Sequence, residues 1–137
     1  MGERGTLLVV DDDGVSRAVF AKALEARGHT VLLARDGAEA LEIVERQVPD
    51  LVVLDVLMPG LDGYEVLQRL RAAAATREVP VLMISSKDDV AGIVKAVQLG
   101  ADDFMFKPID DVLLHLRVDA CLERRRLRGR VRDEAQG

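Results

Sequence analysis

The chain holds one cysteine, one tyrosine and no tryptophan among its 137 residues. A lone thiol, Cys121, excludes an internal disulfide and leaves a zinc cluster without a ligand set. The scarcity of aromatic rings removes the stacking surface that single-stranded nucleic acid needs. No apolar run is longer than about six residues, whereas a membrane span takes about 20 and a signal peptide sets a basic start before an apolar stretch. The expectation is a cytoplasmic protein with no membrane contact.

What is present is globular in character. Hydrophobic residues make up 49% and charged residues 31%, enough apolar mass for one core, and the length fits one domain. The net charge of -5 is unevenly spread. Arg124, Arg125, Arg126, Arg128, Arg130 and Arg132 face only Glu123, Asp133 and Glu134 at the C-terminal end. The rest of the chain holds 13 basic against 21 acidic residues. An acidic body repels phosphates, so direct nucleic-acid binding is not expected; the basic run reads as a charged, solvated helix.

Two periodicities alternate along the chain. Apolar runs at residues 7–10, 31–34, 51–54, 81–84 and 104–106 are too short for helices and predict buried strands. Between them, helical spacing marks Val15, Val19 and Ala23; Ala38, Leu41 and Val44; Val66, Leu67 and Leu70; and Val90, Ile93, Val94 and Val97. A fifth helix is predicted from near Ile109 through Leu113, Leu116, Ala120 and Leu127. Gly28 and Gly100 stand where the first and fourth helices end in a left-handed turn. Asp36, Asp62 and Asp88 occupy N-cap positions, Pro49 and Pro80 precede strands, and the alanines at 72–75 read as the end of the third helix. Five alternations of strand and helix imply a parallel sheet covered on both faces.

In such a sheet, ligands bind beyond the carboxyl ends of the strands. The first strand runs into Asp11, Asp12 and Asp13, the third ends at Asp55, the fourth at Ser85 and Ser86, and the fifth at Lys107 and Pro108. Carboxylates gathered at one edge repel one another unless a cation neutralises them. Carboxylate, carbonyl and water oxygens suit Mg2+ or Mn2+. Asp55 is then a candidate nucleophile that forms an acyl phosphate, with the Lys107 ammonium spreading charge on the phosphoryl oxygens and the Ser85 hydroxyl donating to one of them. Asp13 reads as a capping residue, His29 and His115 as surface residues or local contacts, and Cys121 as a buried thiol beside Val118 and Leu122. Met58, Met83 and Met105 read as packing residues.

The runs LLVVDDD, VVLDVLMPGLDGYE, PVLMISS and DDFMFKP resemble the four signature regions of the receiver domains of bacterial two-component response regulators. The resemblance spans residues 6 to about 127, with the motifs in order and on the right strand ends. It implies a flavodoxin-like, doubly wound α/β fold: a five-stranded parallel sheet in the order 2-1-3-4-5 with five helices. By the same resemblance Asp55 is the phosphoacceptor, and Asp11, Asp12, Asp55 and the backbone carbonyl of Leu57 form the metal site. Ser85 and Phe104 are the switch pair, Lys107 contacts the phosphoryl group, and Pro108 follows a cis peptide bond. Gly14 stands where a proline is frequent, and Phe104 replaces the tyrosine of many relatives. Leu57 and Lys87 fall at variable positions that influence hydrolysis of the acyl phosphate, and a bulky Leu57 implies slow self-dephosphorylation.

The implied partner is a sensor histidine kinase or a histidine phosphotransfer protein. A homodimer through the fourth helix, fifth strand and fifth helix is a further expectation. The receiver is assigned to residues 1–122 and a helical extension or linker to 123–137, where Leu116, Ala120, Leu127 and Val131 keep an apolar seam that Gly129 weakens. Three readings stand side by side: a receiver joined to an output module, a stand-alone phosphorelay or partner-binding receiver, and a metal-dependent phosphatase or nuclease-like enzyme. The last lacks any insertion to build a substrate pocket, so turnover of an external substrate is not expected.

Overall fold

A computed structural model describes residues 4–86 and 90–136, the side chains of 130–136 excepted. Asp88 as an N-cap and Lys87 as a variable position lie outside the described residues, as does the side chain of Val131. The strands are β1 (Thr6–Val10), β2 (Thr30–Ala34), β3 (Leu51–Asp55), β4 (Val81–Ser85) and β5 (Asp103–Phe106). They alternate with α1 (Gly14–Glu25), α2 (Gly37–Arg46), α3 (Gly63–Ala72), α4 (Val90–Gln98) and α5 (Asp111–Gln136). All pairings are parallel, in the order β2-β1-β3-β4-β5, the flavodoxin-like arrangement.

Because successive side chains on a strand point to opposite faces, each strand feeds two cores. Leu8, Val10, Val52, Leu54, Val81 and Met83 face α2, α3 and α4, where Val44, Val66, Leu67, Leu70 and Ala96 meet them. Leu7, Val9, Leu51, Val53, Leu82 and Ile84 face α1 and α5, where Phe20, Leu24, Leu114, Val118 and Leu122 meet them. Burial on both faces is why β3 and β4 read as unbroken apolar runs. Cys121 is fully buried in the second core and burial pushes its thiol up to about 12.

Caps and turns follow the sequence reading where it was local. Asp13 caps α1, its carboxylate accepting from the Val15 and Ser16 N–H groups. Asp36 caps α2, and Asp62 with Glu65 closes a capping box on α3. Gly28 (φ 90°) and Gly100 (φ 97°) adopt the left-handed turn. Lys107-Pro108 is cis.

Several expectations need correction. The alanine run is not helical to its end: α3 stops at Ala72, with Ala73 as its extended C-cap. The last helix begins at Asp111 rather than near Ile109. The spacing Val15, Val19 is not the core stripe of α1, since these residues are 72% and 63% exposed while Phe20, Ala21 and Leu24 are buried. On α4, Gly92 and Ala96 face inward, whereas Val90, Val94 and Val97 face out. On α4 the small inward residues let the helix sit close to the sheet, leaving its larger apolar side chains on the outside.

The histidines are not surface residues. His29 is buried, its Nδ1 accepting the Gly5 N–H at 3.1 Å. Burial holds its imidazole below the ordinary range. His115 is buried too, with Nε2 3.4 Å from Asp111 one turn earlier.

Candidate functional site

The carboxyl ends of β1, β3, β4 and β5 meet at one rim. Asp11 leaves β1 with its N–H donated to the Ala34 carbonyl at 3.1 Å, which fixes its backbone against β2. Its own carbonyl accepts from Arg17 Nη1 at 2.8 Å. The carboxylate is buried and accepts on both sides: Oδ1 from the Asp13 N–H at 2.9 Å and Oδ2 from Lys107 Nζ at 3.0 Å. Sequence reasoning missed Arg17 and Ser16, whose Oγ lies 3.4 Å from Lys107 Nζ. Nothing in their helical positions signals a contact with the ends of β1 and β5.

Asp55 is the last residue of β3 and sits opposite Ile84 of β4. Its Oδ1 is 3.4 Å from the Leu57 N–H, and Oδ2 is 4.0 Å from Lys107 Nζ. Residue 63 must be glycine for this placement. A Cβ there would come 2.3 Å from the Asp55 carbonyl oxygen, so α3 begins in contact with the backbone that carries the carboxylate. Lys107 is set in turn by β5, its N–H donating to the Ser85 carbonyl at 2.7 Å. Ser85 is buried at the end of β4.

Asp11, Asp12 and Asp55 each offer a carboxylate oxygen, and these oxygens lie within 4.8 Å of one another. Only Lys107 reaches Asp11 and Asp55 as a cation among the described residues. Burial, reinforced by the charge of Asp11, pushes Asp55 up to about 6 from its ordinary 3.8. A hard divalent cation fits this set: oxygen donors only, convergent, and carrying more negative charge than one ammonium offsets. Leu57, whose carbonyl was expected to join the set, follows Asp55 by two residues and has a side chain on the surface, 53% exposed.

The structure therefore brings Asp11, Asp12, Asp55 and Lys107 together and sets Ser85 at the adjoining strand end. Phe104 lies elsewhere, at the second position of β5 and half-buried against the core on the α2–α4 side. Its ring meets Phe106 edge-on at 5.1 Å.

A family model of the response regulator receiver domain matches residues 7–119. The transcriptional regulatory protein AfsQ1 of Streptomyces coelicolor is 36% identical over 119 residues, 87% of this chain and 52% of that protein. A crystal structure of NtrX from Brucella abortus superposes with a TM-score of 0.89 at 34% identity, over 96% of this chain and 29% of that one. The chemotaxis protein CheY4 of Vibrio cholerae superposes with a TM-score of 0.82 at 25% identity, over 87% of this chain and 99% of that one. The chain spans about half the length, or less, of the curated relatives it matches.

Proposed function

Given that this chain belongs to the response regulator receiver domain family, we propose that Asp55 accepts a phosphoryl group from the phosphohistidine of a sensor kinase or phosphotransfer protein. The observation that carries this is the convergence on Asp55 of two further carboxylates and one ammonium from separate strand ends. In the transfer, a carboxylate oxygen of Asp55 forms the new bond to phosphorus. The phosphorus–nitrogen bond of the donor breaks, and the imidazole leaves with its electron pair.

Asp11, Asp12, Asp55 and the Leu57 carbonyl would hold Mg2+ or Mn2+. The ion, when bound, supplies positive charge to the phosphoryl oxygens. Lys107 stands 4.0 Å from Asp55 and moves from Asp11 toward the incoming group. Ser85 donates its hydroxyl to a phosphoryl oxygen, and Phe104 turns inward as Ser85 is drawn in. The bulky Leu57, two residues after Asp55, slows attack by water, so the acyl phosphate is long-lived. The domain forms and loses this group on itself, with no external substrate.

The donor needs a seat beside Lys107. A groove of about 380 Å³ lies there between α1 and the start of α5, lined by Val15, Val19, Ala23, Pro108 and Ile109. An apolar donor helix would cover the valines that the core leaves outside. Exposed apolar side chains also stand on α4 (Val90, Val94 and Val97) and on the first turns of α5 (Val112, Leu113 and Leu116). We assign these groups to contacts with a second copy or an output partner in the switched state. Residues 123–137 then form the helical link to an output module, a reading supported by the greater length of the relatives.

Incubation with acetyl phosphate and Mg2+ tests the proposal. One phosphoryl group, sensitive to hydroxylamine, should appear on Asp55 and be absent with EDTA or in Asp55→Asn. Labelling at another residue, or turnover of unrelated phosphate esters, would overturn it.

A further inference from the structure

Arg117, Arg124 and Arg128 are seven and four residues apart and share one face of α5. All three reach the root of β5. Arg117 Nη1 donates to both Asp103 carboxylate oxygens at 3.2 and 3.0 Å. Arg124 Nη1 donates to the Asp102 carbonyl at 2.7 Å. Arg128 donates to Asp102 Oδ2 at 2.5 Å and to the Glu78 carbonyl at 3.0 Å. The stretch after residue 122 thus lies pinned against the base of the domain, at the opposite end of the sheet from Asp55.

Asp102 is the centre of this contact, with a side chain only 3% exposed. Its Oδ1 accepts from Arg71 Nη2 at 2.8 Å and from the Val81 N–H at 2.9 Å. Its two guanidiniums are unequal. Arg71 is also bonded to the carbonyls of Arg77, Val79 and Gly100, whereas Arg128 has one carbonyl besides Asp102 and is 39% exposed. With Arg128 gone, Asp102 stays neutralised and hydrogen-bonded; with Arg71 gone, the loops around it lose their tie. Arg128 is the detachable member.

Directly after it comes Gly129, where a Cβ would meet nothing within 4 Å. No close approach calls for glycine, yet glycine in a helix costs about 1 kcal/mol relative to alanine. The helix is soft one residue beyond Arg128, its last anchor among the described side chains.

We propose that Arg128 is a latch and Gly129 the soft point after it. The pair ties the extension of α5 to Asp102, and displacement of β5 releases it when Asp55 is phosphorylated. The last step rests on the phosphoacceptor reading above. β5 is four residues long and joins Asp102 at its root to Lys107 at its tip. A phosphoryl group that draws Lys107 away from Asp11 pulls the strand along its axis. The Asp102 N–H is registered on the Val81 carbonyl at 2.9 Å, so the pull is felt where Arg128 holds on.

Amide hydrogen exchange of the whole chain, read by mass spectrometry, tests both halves. Arg128→Ala should raise exchange across residues 123–129 about tenfold, the loss expected for one charge-assisted hydrogen bond, with β1 and β3 unchanged. Arg128→Lys should fall between, and Gly129→Ala should slow exchange there. Exchange in 123–129 that Arg128→Ala leaves unaltered overturns the latch. With acetyl phosphate and Mg2+, the unsubstituted chain should show a comparable rise and Asp55→Asn none. Label on Asp55 without the rise overturns the coupling and leaves the phosphoacceptor reading intact. No label overturns that reading and the coupling together, and the Arg128→Ala result still decides the latch.

Discussion

Asp55 is held in a form that favours its proton. Its carboxyl is raised from 3.8 to about 6 by burial first and by Asp11 second. Between those values the folded chain binds a proton that the unfolded chain has released, so stability falls as pH rises from about 4 to about 6 and stays lower above that window. The ceiling is about 3 kcal/mol, from roughly 1.4 kcal/mol for each unit. Urea unfolding in EDTA at successive pH values should show this slope. Asp55→Asn should remove it and stabilise the chain at pH 7 by about 1 to 3 kcal/mol, and Mg2+ should restore stability to the unsubstituted protein. His29 has the opposite sign. Its pKa lies below 6.5 because burial disfavours the charged ring, so the unfolded chain takes up the proton first and stability is lost as pH falls below about 6.5. Nitrogen-15 shifts should show neutral His29 with its proton on Nε2, since Nδ1 accepts from Gly5. His29→Ala should cost about 1 kcal/mol at pH 7, leaving that N–H without an acceptor. The acidic residues were legible in the sequence because each follows an apolar run that ends at the sheet rim. His29 was not, for its burial depends on Gly5, 24 residues away.

At the scale of elements, strands were easier to read than helix faces. A strand buried on both sides is apolar throughout, and its limits are visible in composition alone. A helix shows that it has an apolar stripe without showing what covers it. On α1 the stripe of Val15 and Val19 faces out, and on α4 that of Val90, Val94 and Val97 does the same. The arginine contacts of α5 were hidden for a related reason: Arg128 and Asp102 are 26 residues apart, and charge spacing along one helix does not reveal a partner on a loop. The junction between β3 and α3 offers a sharp test. Gly63→Ala puts a methyl group 2.3 Å from the Asp55 carbonyl oxygen, against backbone that cannot rotate away. The expected loss is about 3 kcal/mol or more, read by urea unfolding, together with slower labelling of Asp55 by acetyl phosphate. Gly60→Ala is the contrasting case. Its φ of 76° disfavours alanine, but no atom lies within 4 Å of the added Cβ. It should cost about 1 kcal/mol.

Taken whole, the molecule divides its tasks between the ends of one sheet. Acidic chemistry occupies the carboxyl rim, the arginine clasp of α5 the other, and the outer face of α4 carries Val90, Val94 and Val97. If that outer face is used by a second copy, light scattering after acetyl phosphate treatment should show a concentration-dependent rise in mass. Val94→Asp, on a residue 50% exposed, should prevent the rise while leaving Asp55 fully labelled. A rise that survives the substitution would move the interface elsewhere. Cys121, sealed in the core on the inner side of α5 with a thiol that is protonated at neutral pH, has a practical corollary. The native protein is its own blank for thiol-directed dyes and spin probes, so a cysteine engineered onto any outward position can be tagged alone, and the distance between the receiver and whatever it steers becomes measurable without first removing a native reactive site.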